Sequence, residues 1–166
     1  MWVGVLGGIE ATCDRPIRLG STRQRALLAV LASRHGDTCA TDSLIEAIWE
    51  GDPPPERGRA ALQTLVSRLR TAIADAGGDA ASIRHVDGRG YRLDRGGVVV
   101  DASEFDRLVS EATARHLAGA PDLATETVDH ALALFRGEPY AEFEHCEWAR
   151  ADVARLRERR ADALEL

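Results

Sequence analysis

Between Arg57 and Ala74 the chain carries no acidic residue, and within that run Leu62, Leu65, Val66, Leu69 and Ile73 recur at helical spacing. A stripe of this period, at ~100° per residue, buries one side of an amphipathic helix and leaves the rest to the polar side chains. Opposite the stripe stand Ala60, Thr64, Ser67 and Thr71, with Arg57 and Arg68 on one shoulder and Gln63 and Arg70 on the other. Small and hydroxyl groups permit close approach to a DNA major groove, and flanking guanidinium groups grip phosphates or guanine edges. A solvated polar face on a core helix fits the same pattern, so the neighbouring segments have to decide between the two.

After Gly77-Gly78 the chain reads as a β-hairpin over residues 83–93, with Asp87-Gly88-Arg89-Gly90 at its tip. Before the long helix come two shorter ones. Ser21-Thr22 precedes a helix over 23–34 whose apolar side is Leu27, Leu28, Val30 and Leu31, with Gly36 as its stop. Thr41 or Asp42 is placed to cap a second over 43–50, supported by Glu46, with Leu44, Ile45, Ile48 and Trp49 inward. Gly51-Asp-Pro-Pro-Pro55 excludes helix and makes a stiff connector into the third. At the N-terminus, residues 2–6, 9–12 and 16–19 are β-prone and predict a small antiparallel sheet. Three helices followed by a two-stranded wing with Arg at its tip make a winged helix-turn-helix, in which Arg89 enters the minor groove beside the recognition helix. A plain hairpin with a charged tip stays open.

From Val98-Val-Val100 the pattern turns helical. Asp101-Ala-Ser-Glu104 reads as a capped helix start, followed by Phe105, Leu108, Val109, Ala112 and Leu117 at helical spacing. Gly119-Ala-Pro121 ends that helix. A second covers 122–135 with Ala124, Val128, Ala131, Leu132 and Phe135 on one side, and Gly137-Glu-Pro139 ends it. A third, over 147–165, sets Trp148, Val153, Leu156 and Leu164 along one side. Helices joined by short Gly/Pro turns predict a hairpin layer of the tetratricopeptide type, which needs neighbours to bury its outer face. The expectation is that this chain is the front part of a longer protein. The acidic stretch 138–147, with Tyr140 and Phe143, reads either as a partner surface or as a solvated loop.

Charge separates the two halves. Residues 1–96 hold 13 Arg against 12 Asp and Glu, a balance of +1, and residues 97–166 hold 8 Arg against 15, a balance of −7. A near-neutral half with clustered Arg joined to an acidic half suggests two tasks, with domains at 1–96 and 97–166. Cys13, Cys39 and Cys146 are odd in number and far apart, which reads as reduced cytoplasmic thiols. No run of 18 apolar residues occurs, so no membrane helix is expected. His145-Cys146-Glu147 is the only metal-type cluster and lacks further ligands, and no serine sits in a nucleophile elbow. Neither an enzyme nor a metal or cofactor protein is expected.

With these residues in place, the chain resembles the Streptomyces antibiotic regulatory protein family. The matching segments are Val3-Gly-Val-Leu-Gly7, Arg23-Gln-Arg-Ala-Leu-Leu28, Leu44-Ile-Glu-Ala-Ile-Trp49 with Pro53-Pro54, and Ala61-Leu-Gln63 through Val66-Ser-Arg-Leu-Arg70. Gly90-Tyr-Arg-Leu93, Val100-Asp-Ala102 with Phe105, and Ala131-Leu-Ala-Leu-Phe-Arg-Gly-Glu-Pro139 with Trp148 complete the series. The resemblance implies an α+β winged helix of the OmpR/PhoB type with an N-terminal sheet and a C-terminal wing. An all-α, tetratricopeptide-like bacterial transcriptional activation domain follows it. It also implies an activator that binds double-stranded DNA as a tandem dimer on direct repeats, recruits RNA polymerase holoenzyme, and controls antibiotic biosynthesis genes. The DNA-binding set expected here is Arg57, Arg59, Gln63, Thr64, Ser67, Arg68, Arg70, Thr71 and Arg89. Asp52, Pro53, Pro54 and Glu56 are the polymerase-contact candidates, unless that loop is only a stiff turn. Ser67 and Thr71 stand where related domains often carry basic side chains. The rival reading is a protein-interaction module whose winged helix has lost DNA binding.

Overall fold

In the computed structural model, which describes residues 1–166, the long helix α3 spans Gly58–Asp75 and buries Leu62, Leu65, Val66, Leu69 and Ile73. These are the five residues of the stripe. The helix ends where Gly77, at φ +83°, turns the chain into the left-handed region, and the Gly78 N–H closes on the Ile73 carbonyl at 2.9 Å. Beneath it, α1 (Thr22–Ser33) is capped as expected, with the Ser21 hydroxyl accepting the Gln24 N–H at 3.1 Å. Its burial is wider than one apolar side, because Gln24 and every residue from Ala26 to Ala32 are buried. The alanines let α1 run through the middle of the fold with α2, α3 and α6 packed around it. Helix α2 is Thr41–Ile48 and starts directly from β3 (Cys39–Ala40), so Ala40 is its N-cap and neither Thr41 nor Asp42 caps it. Strand β3, two residues long, shows no period of its own.

The wing is β4 (Ile83–Val86) and β5 (Gly90–Leu93), antiparallel, with β3 on the outer edge of β5. Gly90 pairs with Ala40, and a Cβ there would collide with the Cys39 carbonyl. The other sheet differs from the expectation. Strands β1 (Trp2–Gly4) and β2 (Glu10–Thr12) are antiparallel, but residues 16–19 form no strand beyond a single Thr12–Pro16 bridge. The third strand is β6 (Val99–Val100), parallel to β1 and arriving from almost a hundred residues away. A local pattern cannot show a parallel partner at that separation.

Helix α4 (Asp101–Leu117) leaves directly from β6 and packs along α5 (Pro121–Leu132). Pro121 opens α5, where its missing N–H costs nothing. The helix stops at Leu132 rather than 135, and the chain then turns so that Phe135 meets Phe105 edge-on at 5.0 Å. Helix α6 (Glu147–Leu164) buries Ala149, Val153, Leu156 and Ala163. Leu117 and Leu164, both expected inside, are 80% and 68% exposed, because each is the last residue of its helix.

Asp101 does not cap α4. The N-cap is Val100, with no side-chain cap, and the Asp101 carboxylate is fully buried. It accepts the N–H groups of Val5 at 2.8 Å and Leu6 at 3.0 Å, and an Arg136 guanidinium N–H at 3.1 Å. Burial pushes its pKa up against the pull of those three partners. Beyond it, residues 136–147 form a strap packed on the N-terminal segment rather than a free solvated loop, with Glu138, Glu144 and Glu147 left exposed. The N–H groups of Arg136, Tyr140 and Ala141 donate to the carbonyls of Leu6, Val5 and Gly7 at 2.8, 2.7 and 3.1 Å. Tyr140 is fully buried at φ +51° and its hydroxyl donates to Asp152 at 2.7 Å. One core of 38 side chains therefore runs from Val3 to Ala163 through both halves. Asp101→Ala removes one partner of a buried pair and orphans two N–H groups. It should lower the urea-unfolding free energy by about 3–5 kcal/mol, with the loss appearing in both halves in one transition.

Candidate nucleic-acid interface

The side of α3 turned away from the core presents Gln63, Thr64, Ser67, Arg68 and Thr71, all exposed. The hydroxyls of Thr64 and Thr71 donate back to the Ala60 and Ser67 carbonyls, each at 3.1 Å. Their polarity is thereby satisfied within the helix, and the outward surface stays low and uncharged along its centre. Arg57 and Arg59 stand exposed at the start of α3, and Arg89 is exposed at the wing tip. The fold brings part of this set together across space. A cleft of about 370 Å³ between wing and helix is lined by Arg59, Gln63, His85, Arg89 and Tyr91. Twenty-six residues separate Gln63 from Arg89 in the chain, and the β4–β5 hairpin removes that distance.

Arg70 stands apart from this set. It is half-buried, and its Nε and Nη2 donate to the Ile83 carbonyl at 3.1 and 2.7 Å, tying α3 to the base of the wing. The loop after α2 is exposed at Asp52, Pro53, Pro54 and Glu56, and Asp52 accepts an Arg23 N–H at 3.1 Å. Its neighbour Glu50 reaches the helical half, where its carboxylate oxygens accept the Glu147 N–H at 2.9 and 3.1 Å and so cap α6. Cys146 lies beside it, its thiol pushed up to about 11 by burial and by Glu50, which removes any thiolate character at neutral pH. Periodicity gives no sign of the Glu50 cap, because it exists only between elements distant in the chain.

The guanidinium groups divide sharply by location. In residues 97–166, seven of the eight arginines are ion-paired, and the eighth, Arg160, lies over the Phe135 ring at 4.6 Å. In residues 1–96, six of thirteen are held by protein acceptors: Arg15, Arg23, Arg25, Arg70, Arg84 and Arg95. Of the seven unheld, Arg57, Arg59, Arg68 and Arg89 belong to the α3 and wing face. The net charge of −6 therefore coexists with a surface whose cations have no partner within the chain.

Comparison with known proteins agrees with this architecture in order and extent. A family described as the C-terminal part of transcriptional regulatory proteins matches residues 14–93, and the bacterial transcriptional activator domain matches residues 100–166. The chain belongs to the Streptomyces antibiotic regulatory protein family. The transcriptional regulatory protein MoaR1 of Mycobacterium tuberculosis is 34% identical over 80% of this chain and 43% of its own length. The regulatory protein AfsR of Streptomyces coelicolor is 35% identical over 87% of this chain and 15% of its own. A solved structure of Mycobacterium tuberculosis EmbR, in complex with a low-affinity phosphopeptide, superposes with a TM-score of 0.87 at 28% identity. That match covers 97% of this chain and 42% of the EmbR chain, so the family member described here spans under half the length of these relatives.

The two shoulders of α3 separate a fold role from a surface role. Arg70→Ala should lower stability by about 1–3 kcal/mol through the unpaired Ile83 carbonyl. Arg68→Ala, exposed and unpaired, should stay within about 0.5 kcal/mol of the parent in chemical denaturation.

Proposed function

We propose that this family member is a sequence-specific DNA-binding transcriptional activator of the cytoplasm. Residues 1–96 bind double-stranded DNA and residues 97–166 belong to the activating part. The single observation that carries the reading is the separation of arginines. The acidic half neutralises its own, while the outward face of α3 and the wing keep Arg57, Arg59, Arg68 and Arg89 unpaired around an uncharged centre. Unpaired guanidinium groups around a low, small-residue surface suit phosphates on either side of a major groove, with bases read between them.

In this reading α3 lies in the major groove with Gln63, Thr64, Ser67 and Thr71 at its floor. Arg57, Arg59 and Arg68 supply phosphate and guanine contacts, and Arg89 reaches the minor groove. Two copies bind head to tail on a direct repeat beside a promoter. Asp52, Pro53, Pro54 and Glu56 face RNA polymerase holoenzyme, and the regulated genes are those of antibiotic biosynthesis. The rival, an interaction module without DNA binding, draws on the net charge of −6 and on Ser67 and Thr71 in place of basic residues.

Fluorescence anisotropy against promoter DNA upstream of the chain's own gene cluster, at three salt concentrations, separates the two. Phosphate contacts release counterions, so the activator's affinity should fall steeply and linearly on a log–log plot. Salt-insensitive or absent binding by folded protein favours the interaction module. On a genuine site Arg68→Ala should weaken binding, and an unchanged Kd removes it from the contact set. Tandem binding requires a direct repeat to bind more tightly than one half-site.

A further inference from the structure

The shoulder of α3 opposite the wing borders a second groove, of about 830 Å³, walled on its far side by the segment between β2 and α1. Arg18 stands on that wall, exposed and without an ion pair or hydrogen bond, and Arg68 stands across from it on α3, equally unpaired. The same groove is lined by two neutral donors with no partner in the protein, the Ser67 hydroxyl and the Gln24 side-chain NH2 group. Gln24 is only 6% exposed; its Oε1 accepts the Gly20 N–H at 3.3 Å, while Nε2 makes no hydrogen bond within the protein. Asp75 is the one carboxylate on the rim, and Arg15, whose Nη2 donates to the Asp75 carbonyl, lies beside it.

We infer that this groove seats a backbone phosphate of double-stranded DNA, held by Arg18 and Arg68 from two sides with Gln24 and Ser67 as neutral donors. The inference rests on the DNA-binding reading and extends its surface to a third element. A duplex lying along α3 then meets the wing on one shoulder and the β2–α1 segment on the other. Phosphate contacts carry no base information, so this one orients the protein without choosing sequence.

The test uses the full chain with Arg18→Ala, in anisotropy titrations against a promoter duplex and an unrelated duplex of equal length. Arg34→Ala, an equally unpaired arginine at the other end of α1, is the control. Loss of one phosphate contact should reduce the slope of log K against log salt by about 0.9. The ratio of variant to parent Kd should then be about threefold larger at 50 mM than at 200 mM salt, alike on both duplexes. Arg34→Ala should leave the slope unchanged. If the parent binds with a steep slope and Arg18→Ala keeps that slope, the phosphate seat is wrong while the DNA-binding reading stands. A loss confined to one duplex, or an equal loss in Arg34→Ala, also overturns it. If the parent itself shows no salt-dependent binding, both readings fall together.

Discussion

A fully buried carboxylate holds this structure together. Asp101 lies out of water at the first turn of α4, which is tolerable only because two backbone N–H groups and one guanidinium meet it. Those partners come from residues 5, 6 and 136, so the one group gathers the N-terminal strand, the start of the helical half and the end of its hairpin. Arg136 extends the junction, pairing with Glu10 at 3.0 Å and lying over the Trp2 ring at 5.3 Å. The β1–β6 pairing and the strap over residues 5–7 follow from the same alignment. With the shared core and the Glu50 cap of α6, it fixes the orientation of the winged helix against the helical layer.

That orientation gives the charge distribution its meaning. The ion pairs of the helical half are mostly exposed, and pairs of that kind contribute little stability individually. Their consequence is electrostatic: the guanidiniums of residues 97–166 are occupied locally, and the surplus carboxylates stay with them. On α3 and the wing the opposite holds, and a chain of net charge −6 offers a cationic face. Glu50 links the two regions by capping α6 from the edge of the 51–56 loop, so the proposed polymerase loop is anchored to the helical half.

Much of the fold was legible in the residues because it is periodic. The stripe on α3, the Ser21 cap, the hairpin over 83–93 and the Gly/Pro stops each report a local constraint that neighbouring residues satisfy. The expectations that fell did so for two reasons. The strand at 16–19 and the Asp101 cap each required knowing a partner far away in the chain. Leu117 and Leu164 continue their apolar stripes in sequence, yet each is the last residue of its helix and so lies exposed.

The sequence by itself determined the element order, the amphipathic recognition helix with its five buried positions, and the family to which the chain belongs. These rest on periodicity, turn chemistry and residue order. Only the tertiary structure decided which arginines are free. Arg70 and Arg68 are two residues apart and chemically identical, but one faces the Ile83 carbonyl and the other faces solvent. It also decided that Arg18 and Arg68 line one groove and that Asp101 joins the halves, since a charge is assigned its role by the groups that surround it after folding.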